Sequence, residues 1–243
     1  MAREIFCWQA PGPYRVAFST RLGGVSEGPF ASLNLGKGTG DELKRVLENR
    51  KRLCAELEID PARSTMARQQ HGAVAQRAEA KDLLSQKPGF PECDALWSEE
   101  PGQGMLLVTA DCLPLAIARV DRERPALALV HAGWRGMLAG VLESALRGLG
   151  RGRTAAVLGP AIGPCCFEVS EDVAASFRRR FGREVVNGRK VDLWLAAENA
   201  LEDAGCESVE RVDICTSCHP ELFFSYRRDM GHTGRQGVIG AIA

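Results

Sequence analysis

An excess of charge of either sign is missing from this chain: 31 lysines and arginines balance 31 aspartates and glutamates over 243 residues. Without a basic surplus nothing advertises a phosphate-backbone partner, so no nucleic-acid partner is expected. Long apolar runs are missing too. The best stretch, 104–120, is interrupted by Asp111, Pro114 and Arg119 and falls short of the ~20 residues that span a bilayer. No membrane partner is expected. The first residues present Glu4 and Gln9 where a secretory leader needs an apolar segment. Nine cysteines are an odd number without the density of a disulfide scaffold. Aromatic residues, at 6%, are few for an extracellular sugar-binding sandwich. These absences point to a cytoplasmic globular protein with reduced thiols. No repeat, low-complexity run or linker divides it, so residues 1–243 are expected to form one domain.

What the sequence does contain is short apolar segments separated by turns. The run 14–20 reads as a strand, followed by a turn-rich stretch over 21–30. Leu43, Val46, Leu47, Leu53, Cys54 and Leu57 recur at three- and four-residue steps. That spacing predicts a helix over 41–58, with Asp41 as its cap and Pro61 beyond its end. Segments 104–110, 114–118 and 125–131 are nearly continuous apolar runs, the pattern of strands buried on both faces. Helices are predicted over 136–149, from Ser170 onward and over 190–204. Short strands follow near 211–214, 223–226 and 238–242. Strands and helices interleave without strict alternation. The expected fold class is therefore α/β of the mixed α+β kind, a layered mixed β-sheet flanked by helices.

Histidine is scarce, four in all, and two of the four stand where chemistry is commonly built. His71 lies in the polar turn Gln69-Gln70-His71-Gly72. His131 closes one apolar run and opens His131-Ala-Gly-Trp-Arg-Gly136, while Asp111 and Cys112 end another. Strand ends fix side chains because the sheet behind them is rigid. If the strands carrying Cys112 and His131 are neighbours, the two converge, with His71 supplied by its turn. Two imidazoles and one thiolate suit zinc, with a position left for water or substrate. A competing reading makes Cys112 a nucleophile with His131 as its base. A blander one makes Cys112 a small buried hydrophobe, against which Asp111 is an awkward neighbour.

Further residues fit anion binding or simple structure. Gly133, Gly136 and Arg135 ahead of a helix suit either a phosphate loop or an ordinary strand-to-helix turn. The stretch from Gly159 through Cys165, Cys166, Phe167 and Glu168 reads as a rigid turn aiming its last two residues into a pocket. Cys215-Thr-Ser-Cys218-His219 has CxxC spacing but no second CxxC, weak ground for a metal half-site. Arg227, Arg228 and Arg235, and Arg21 beside Gly23 and Gly24, suit anion binding or ion pairing equally.

Taken together, Arg21-Leu-Gly-Gly-Val-Ser, Leu33-Asn-Leu, Gln69-Gln-His71-Gly, Asp94-Ala-Leu, Thr109-Ala-Asp-Cys112-Leu-Pro, His131-Ala-Gly-Trp-Arg-Gly, the Gly159 to Glu168 stretch, Phe224-Ser-Tyr-Arg-Arg-Asp and Thr233-Gly-Arg resemble the laccase-domain family. That family has also been called polyphenol oxidase, purine nucleoside phosphorylase and peptidoglycan editing factor. The resemblance runs in order over essentially the whole chain. It implies one α/β domain with a fold likened to cysteine-hydrolase toxins, and a Zn2+ held by His71, Cys112 and His131. It also implies phosphorolysis of adenosine, inosine and S-methyl-5'-thioadenosine, together with adenosine deamination. Met137 stands where threonine is usual in the family and Phe167 where tyrosine is common; Cys218-His219 is atypical.

On this reading the partners are small molecules, a nucleoside and phosphate. Asp111, Cys112, Arg135 and Glu168 are the catalytic candidates, with Asp111 or Glu168 moving protons. Arg21, Gln69, Arg227 and Arg228 are the substrate-binding candidates. Amide hydrolysis of a muramyl-peptide precursor is the alternative activity. Copper oxidase chemistry ranks below both. Four histidines without a His-x-His pair cannot build a multicopper cluster, although one Cys and two His admit Cu2+ adventitiously.

Overall fold

A computed structural model describes residues 5–87, 89–121 and 123–243, so Glu4 lies outside the described residues. The strands in chain order are β1 (Ile5–Cys7), β2 (Tyr14–Ser19), β3 (Ser64–Met66), β4 (Ala75–Arg77), β5 (Ala95–Ser98), β6 (Gly104–Thr109), β7 (Leu113–Arg119) and β8 (Ala126–Ala132). They continue with β9 (Thr154–Leu158), β10 (Val186–Asn187), β11 (Lys190–Val191), β12 (Ser208–Arg211) and β13 (Gln236–Ile242). The helices are α1 (Leu43–Glu56), α2 (Trp134–Ala139), α3 (Val141–Leu149), α4 (Glu171–Phe181) and α5 (Leu193–Asp203).

Two mixed sheets result, one ordered β1-β2-β13-β6-β3 and the other β12-β9-β7-β8-β5-β4, with β10 and β11 as a small ribbon. The pairs β3/β6, β4/β5 and β9/β12 are parallel and the remaining pairs antiparallel. Alternation along the buried strands decides what packs where. On β8, Leu127 and Leu129 join Val16, Phe18, Leu107 and Val238 in a core between the sheets. Its other face, Ala128 and Val130, packs against Val141, Leu142, Phe177 and Leu201 of the helices. A third cluster packs α1, through Leu53 and Cys54, on Leu106 and Ile239. The layers therefore run helix, sheet, sheet, helices. Each fully buried Leu or Phe contributes roughly 1.5–3 kcal/mol.

Several boundaries differ from the sequence reading, each for a local reason. The helix expected over 136–149 is two helices, because Gly140 is left-handed at φ 93° and ends the first. The helix expected from 190 begins at Leu193, where the Asp192 carboxylate accepts from the Leu195 amide at 3.0 Å; Lys190 and Val191 belong to the ribbon. Phe223 and Phe224 are buried but not in a strand. The Gln236 side chain accepts from the Phe224 amide at 2.9 Å and donates to its carbonyl at 3.0 Å, in place of a ladder. No helix among the described residues is long and apolar enough to cross a membrane.

Candidate metal centre

Strand register builds this site. β7 and β8 are antiparallel with Pro114 opposite His131 and Leu113 opposite Ala132, so Cys112, one residue earlier, arrives beside Gly133. β5 pairs with β8 from the other side, Ala95 opposite Val130, which sets Asp94 next to His131. The His131 amide donates to the Asp94 carbonyl at 2.8 Å, and the His131 Nδ1 meets the Asp94 carboxylate at 2.8 Å. His71 comes from the loop between β3 and β4. The donor atoms of His71, Cys112 and His131 all lie within 4.8 Å of one another. The two imidazole rings sit edge to face with centroids 4.8 Å apart.

One carboxylate organises both histidines. Asp94 is buried, and besides His131 it accepts from the amides of Gln70 at 3.2 Å, His71 at 2.9 Å and Gly72 at 2.7 Å. These bonds hold the His71 loop, whose φ of 59° is unusual for a residue with a side chain. Burial pushes the Asp94 carboxyl up, but the His131 and backbone hydrogen bonds outweigh it and hold it below the ordinary carboxylate value. With Nδ1 engaged by Asp94, His131 is left with Nε2 as its free donor atom, the arrangement that fixes a ligating imidazole.

The electrostatics favour a thiolate. Burial alone pushes the Cys112 thiol up; the His131 charge, its hydrogen bond and the His71 ring outweigh that and bring it down to about 6. Burial pulls His131 down, and the Cys112 and Asp94 negative charges outweigh it in turn, raising the imidazole to about 9. The two shifts describe one pairing, an anion beside a cation. Gly133 leaves the space open: a Cβ there would lie 3.1 Å from the His71 ring and 3.2 Å from the Cys112 sulfur. Two imidazole nitrogens and a thiolate, clustered and deprotonatable, fit a metal ion.

The three donors open into a cavity of about 850 Å³. Among the described residues six cations line it (Lys37, Arg50, Arg68, Arg135, Arg227 and Arg235) against one carboxylate, Asp111. Arg50 is buried within α1 and donates to the Leu35 carbonyl at 3.0 Å and to the Leu83 carbonyl at 3.3 Å. Burial lowers its guanidinium to about 10. Arg135 lies over the Trp134 ring at 4.3 Å. Thr109 lines the same space, and its buried hydroxyl has no hydrogen-bond partner among the described residues.

The remaining predicted residues fall in different places. Gln69 borders the cavity, but its amide bonds both the Val108 amide (3.0 Å) and the Val108 carbonyl (2.8 Å), extending the sheet edge. Asp111 borders it with φ 88°, one carboxylate oxygen accepting from Thr216 at 2.6 Å and the other from the Arg227 amide at 2.7 Å. The Arg227 guanidinium lies 5.6 Å over Phe167. Glu168, Arg21 and Arg228 are not among the lining residues. Glu168 pairs with Arg189. Arg21 stacks on Phe224 at 4.6 Å, and Arg228 engages Asp229 and the carbonyls of Thr216 and Phe223. Gly136 abuts the Gly72 carbonyl, where a Cβ would come within 2.7 Å, so this glycine seats the His71 loop. The orienting role of Asp94 and the cavity face of Arg50 escaped the sequence reading. A charged residue at the head of the short apolar run 94–96, and an arginine on the apolar stripe of α1, were the available signals.

Fold and site together place the chain among mixed α/β proteins with a His-Cys-His donor set at the strand ends. It belongs to the family described as multi-copper polyphenol oxidoreductase laccase, whose profile matches residues 15–242. The purine nucleoside phosphorylase PA4543 of Pseudomonas aeruginosa is 39% identical over 238 residues, covering 94% of this chain and 93% of that one. The purine nucleoside phosphorylase YfiH of Escherichia coli is 37% identical over 236 residues, covering 94% and 93%. Among solved structures, YlmD from Geobacillus stearothermophilus aligns with a TM-score of 0.87 at 31% identity, covering 100% of this chain and 97% of that one. The expected fold class and family are both borne out. The family's multi-copper description sits poorly with the imidazoles present. Two of the four histidines are in the donor cluster, while His219 pairs with Glu221 and His232 packs on Phe30.

Proposed function

We propose that this chain is a zinc-dependent purine nucleoside phosphorylase, acting on adenosine, inosine and S-methyl-5'-thioadenosine, and that the same pocket deaminates adenosine. The observation that carries the reading is the His71, Cys112 and His131 cluster opening into a cavity ringed by guanidiniums. Names borne by relatives at 37–39% identity support it. In phosphorolysis a phosphate oxygen bonds to the anomeric carbon as the glycosidic bond breaks. The departing electron pair goes to the purine nitrogen, which takes up a proton. Arg135, Arg227 and Arg235 are the cavity cations suited to hold the phosphate. Asp111 is the lining carboxylate and the proposed proton carrier; through its bond to the Arg227 amide it also positions that residue. Zinc at the three donors would supply Lewis-acid polarisation of an oxygen or nitrogen at the reacting centre. A cytoplasmic setting with phosphate and nucleosides at hand agrees with this chemistry.

A second reading has one specific observation in its favour. Cys112, His131 and Asp94 also line up as thiolate, imidazole and orienting carboxylate, the arrangement of a cysteine nucleophile suited to amide hydrolysis, as in a muramyl-peptide precursor. A metal and a free nucleophile exclude each other at Cys112. Incubating the purified protein with adenosine and phosphate, and separately with a muramyl-peptide precursor, tests both. Phosphate-dependent release of adenine and ribose 1-phosphate supports the first. Peptide release without adenine release supports the second.

A further inference from the structure

Four more cysteines come together away from the cavity floor. Cys165 and Cys166 lie in the turn after β9, and Cys215 and Cys218 in the loop after β12. β9 and β12 are parallel neighbours, so the chain leaves both at the same end of the sheet. A bridge between Ala161 and Cys215, with the Thr216 amide donating to the Ala161 carbonyl at 2.9 Å, stitches the two loops together. All four sulfurs lie within 4.8 Å of one another. Cys218 Sγ is 3.5 Å from Cys165 Sγ and 3.4 Å from Cys166 Sγ, and all four cysteines are unbridged.

We propose that these four side chains form a second metal site, a mononuclear tetrathiolate that takes Zn2+ as a structural ion. Four sulfurs on a tetrahedral zinc at about 2.3 Å stand about 3.8 Å apart, close to the spacing found here. Inorganic sulfide does not fit between thiolates this close, which argues against an iron–sulfur cluster. The surroundings suit thiolates. The Gly163 amide donates to Cys215 Sγ at 3.2 Å, and the Cys218 amide turns back on the Cys215 carbonyl at 3.2 Å as a CxxC knuckle requires. Gly163 permits the approach, since a Cβ there would stand 3.3 Å from the Cys215 Cβ and 3.1 Å from Trp194. Cys215 is buried, Cys166 half-buried, and Cys165 and Cys218 exposed, so an ion can reach the site from solvent.

The ion would brace one wall of the cavity. Arg227 donates to the carbonyls of Cys166 at 3.3 Å and Glu168 at 3.1 Å, while Thr216, one residue past Cys215, donates to Asp111 at 2.6 Å. Fixing the two loops together thus fixes Phe167, Arg227 and Asp111 around the first donor cluster.

Native mass spectrometry of the full chain, purified with a thiol reductant and zinc in the medium, counts the ions. Two per chain are expected in the wild type, one in Cys112→Ala and none in Cys112→Ala/Cys218→Ser. X-ray absorption at the zinc edge of Cys112→Ala should give an all-sulfur first shell at about 2.3 Å. A single zinc lost with Cys112→Ala, nitrogen or oxygen in that first shell, or a disulfide among the four in the reduced protein would each overturn the proposal. Should Cys112→Ala fail to fold, the wild-type spectrum still decides: five sulfur ligands shared between two ions, or one sulfur on one ion. The second ion of the wild type rests on the metal centre proposed above, whereas the single all-sulfur ion expected in Cys112→Ala does not depend on which reaction the cavity performs.

Discussion

Asp94 carries more of the site than any residue that touches the cavity contents, because one carboxylate holds the His71 backbone and the His131 ring at once. Asp94→Asn keeps the shape but weakens both holds, and metal affinity is expected to fall about 10–100-fold, measured by competition with a chromogenic chelator. The same residue sets an acid limb. Its folded value lies below its unfolded one, so its stabilisation is present above the usual carboxylate value of about 3.9 and lost as pH falls through the folded value. Urea unfolding of metal-free protein should therefore show a shallower acid decline in Asp94→Asn than in the wild type. Gly133 offers a second test at this scale. Its φ of −69° suits alanine, so Gly133→Ala acts through crowding of His71 and Cys112 alone. Metal content should drop while the far-ultraviolet circular dichroism stays unchanged. Cys112 and His131 were legible from sequence as chemically active residues at apolar-run ends. Asp94 was quoted as a motif without a role, because its meeting with His131 exists only once β5 and β8 pair in register.

Among the elements, those with strong periodic signals were the readable ones. The apolar stripe of α1 and the continuous runs of β6, β7 and β8 announced themselves, since burial on one face or both leaves a pattern in the side chains. The strands β3, β4 and β5 span three or four residues each, too short for a period to show, and the five residues of Thr154–Leu158 carry two alanines, a weak strand signal. Tertiary pairing makes them strands. The division of α2 from α3 was likewise hidden, because Gly140 inside a helical pattern looks tolerable until its left-handed conformation is known. Gly140→Ala should cost about 1–2 kcal/mol for holding that conformation, read as a fall of a few degrees in Tm. The nearest atoms to its Cβ are the ends of the Glu143 and Arg180 side chains, which can yield, and phosphorolysis is expected to persist.

For the whole molecule, net neutrality hides a strongly uneven cavity. The six cations that line it among the described residues are drawn from the loop before α1, from α1, from the loop between β3 and β4, from α2 and from the C-terminal loops, so no single stretch of sequence betrays the field they make. On the proposed function that field would draw phosphate in through water, and salt would screen it. The KM for phosphate is expected to rise with ionic strength while kcat changes little, in initial-rate measurements across a sodium chloride series. The layered arrangement brings the loops to one mouth, and the donors meet because three strands of one sheet hold their ends in register. The central claim joins that geometry to chemistry: an ion at His71, Cys112 and His131 serves cleavage of a purine nucleoside. The most direct measurement is adenosine turnover with phosphate in wild-type protein stripped by a chelator and then given zinc, beside Cys112→Ala treated alike. Ribose 1-phosphate should match adenine plus hypoxanthine, and these products should vanish on stripping, return with zinc and stay absent in the variant. Turnover indifferent to the chelator and undiminished in Cys112→Ala would contradict the account.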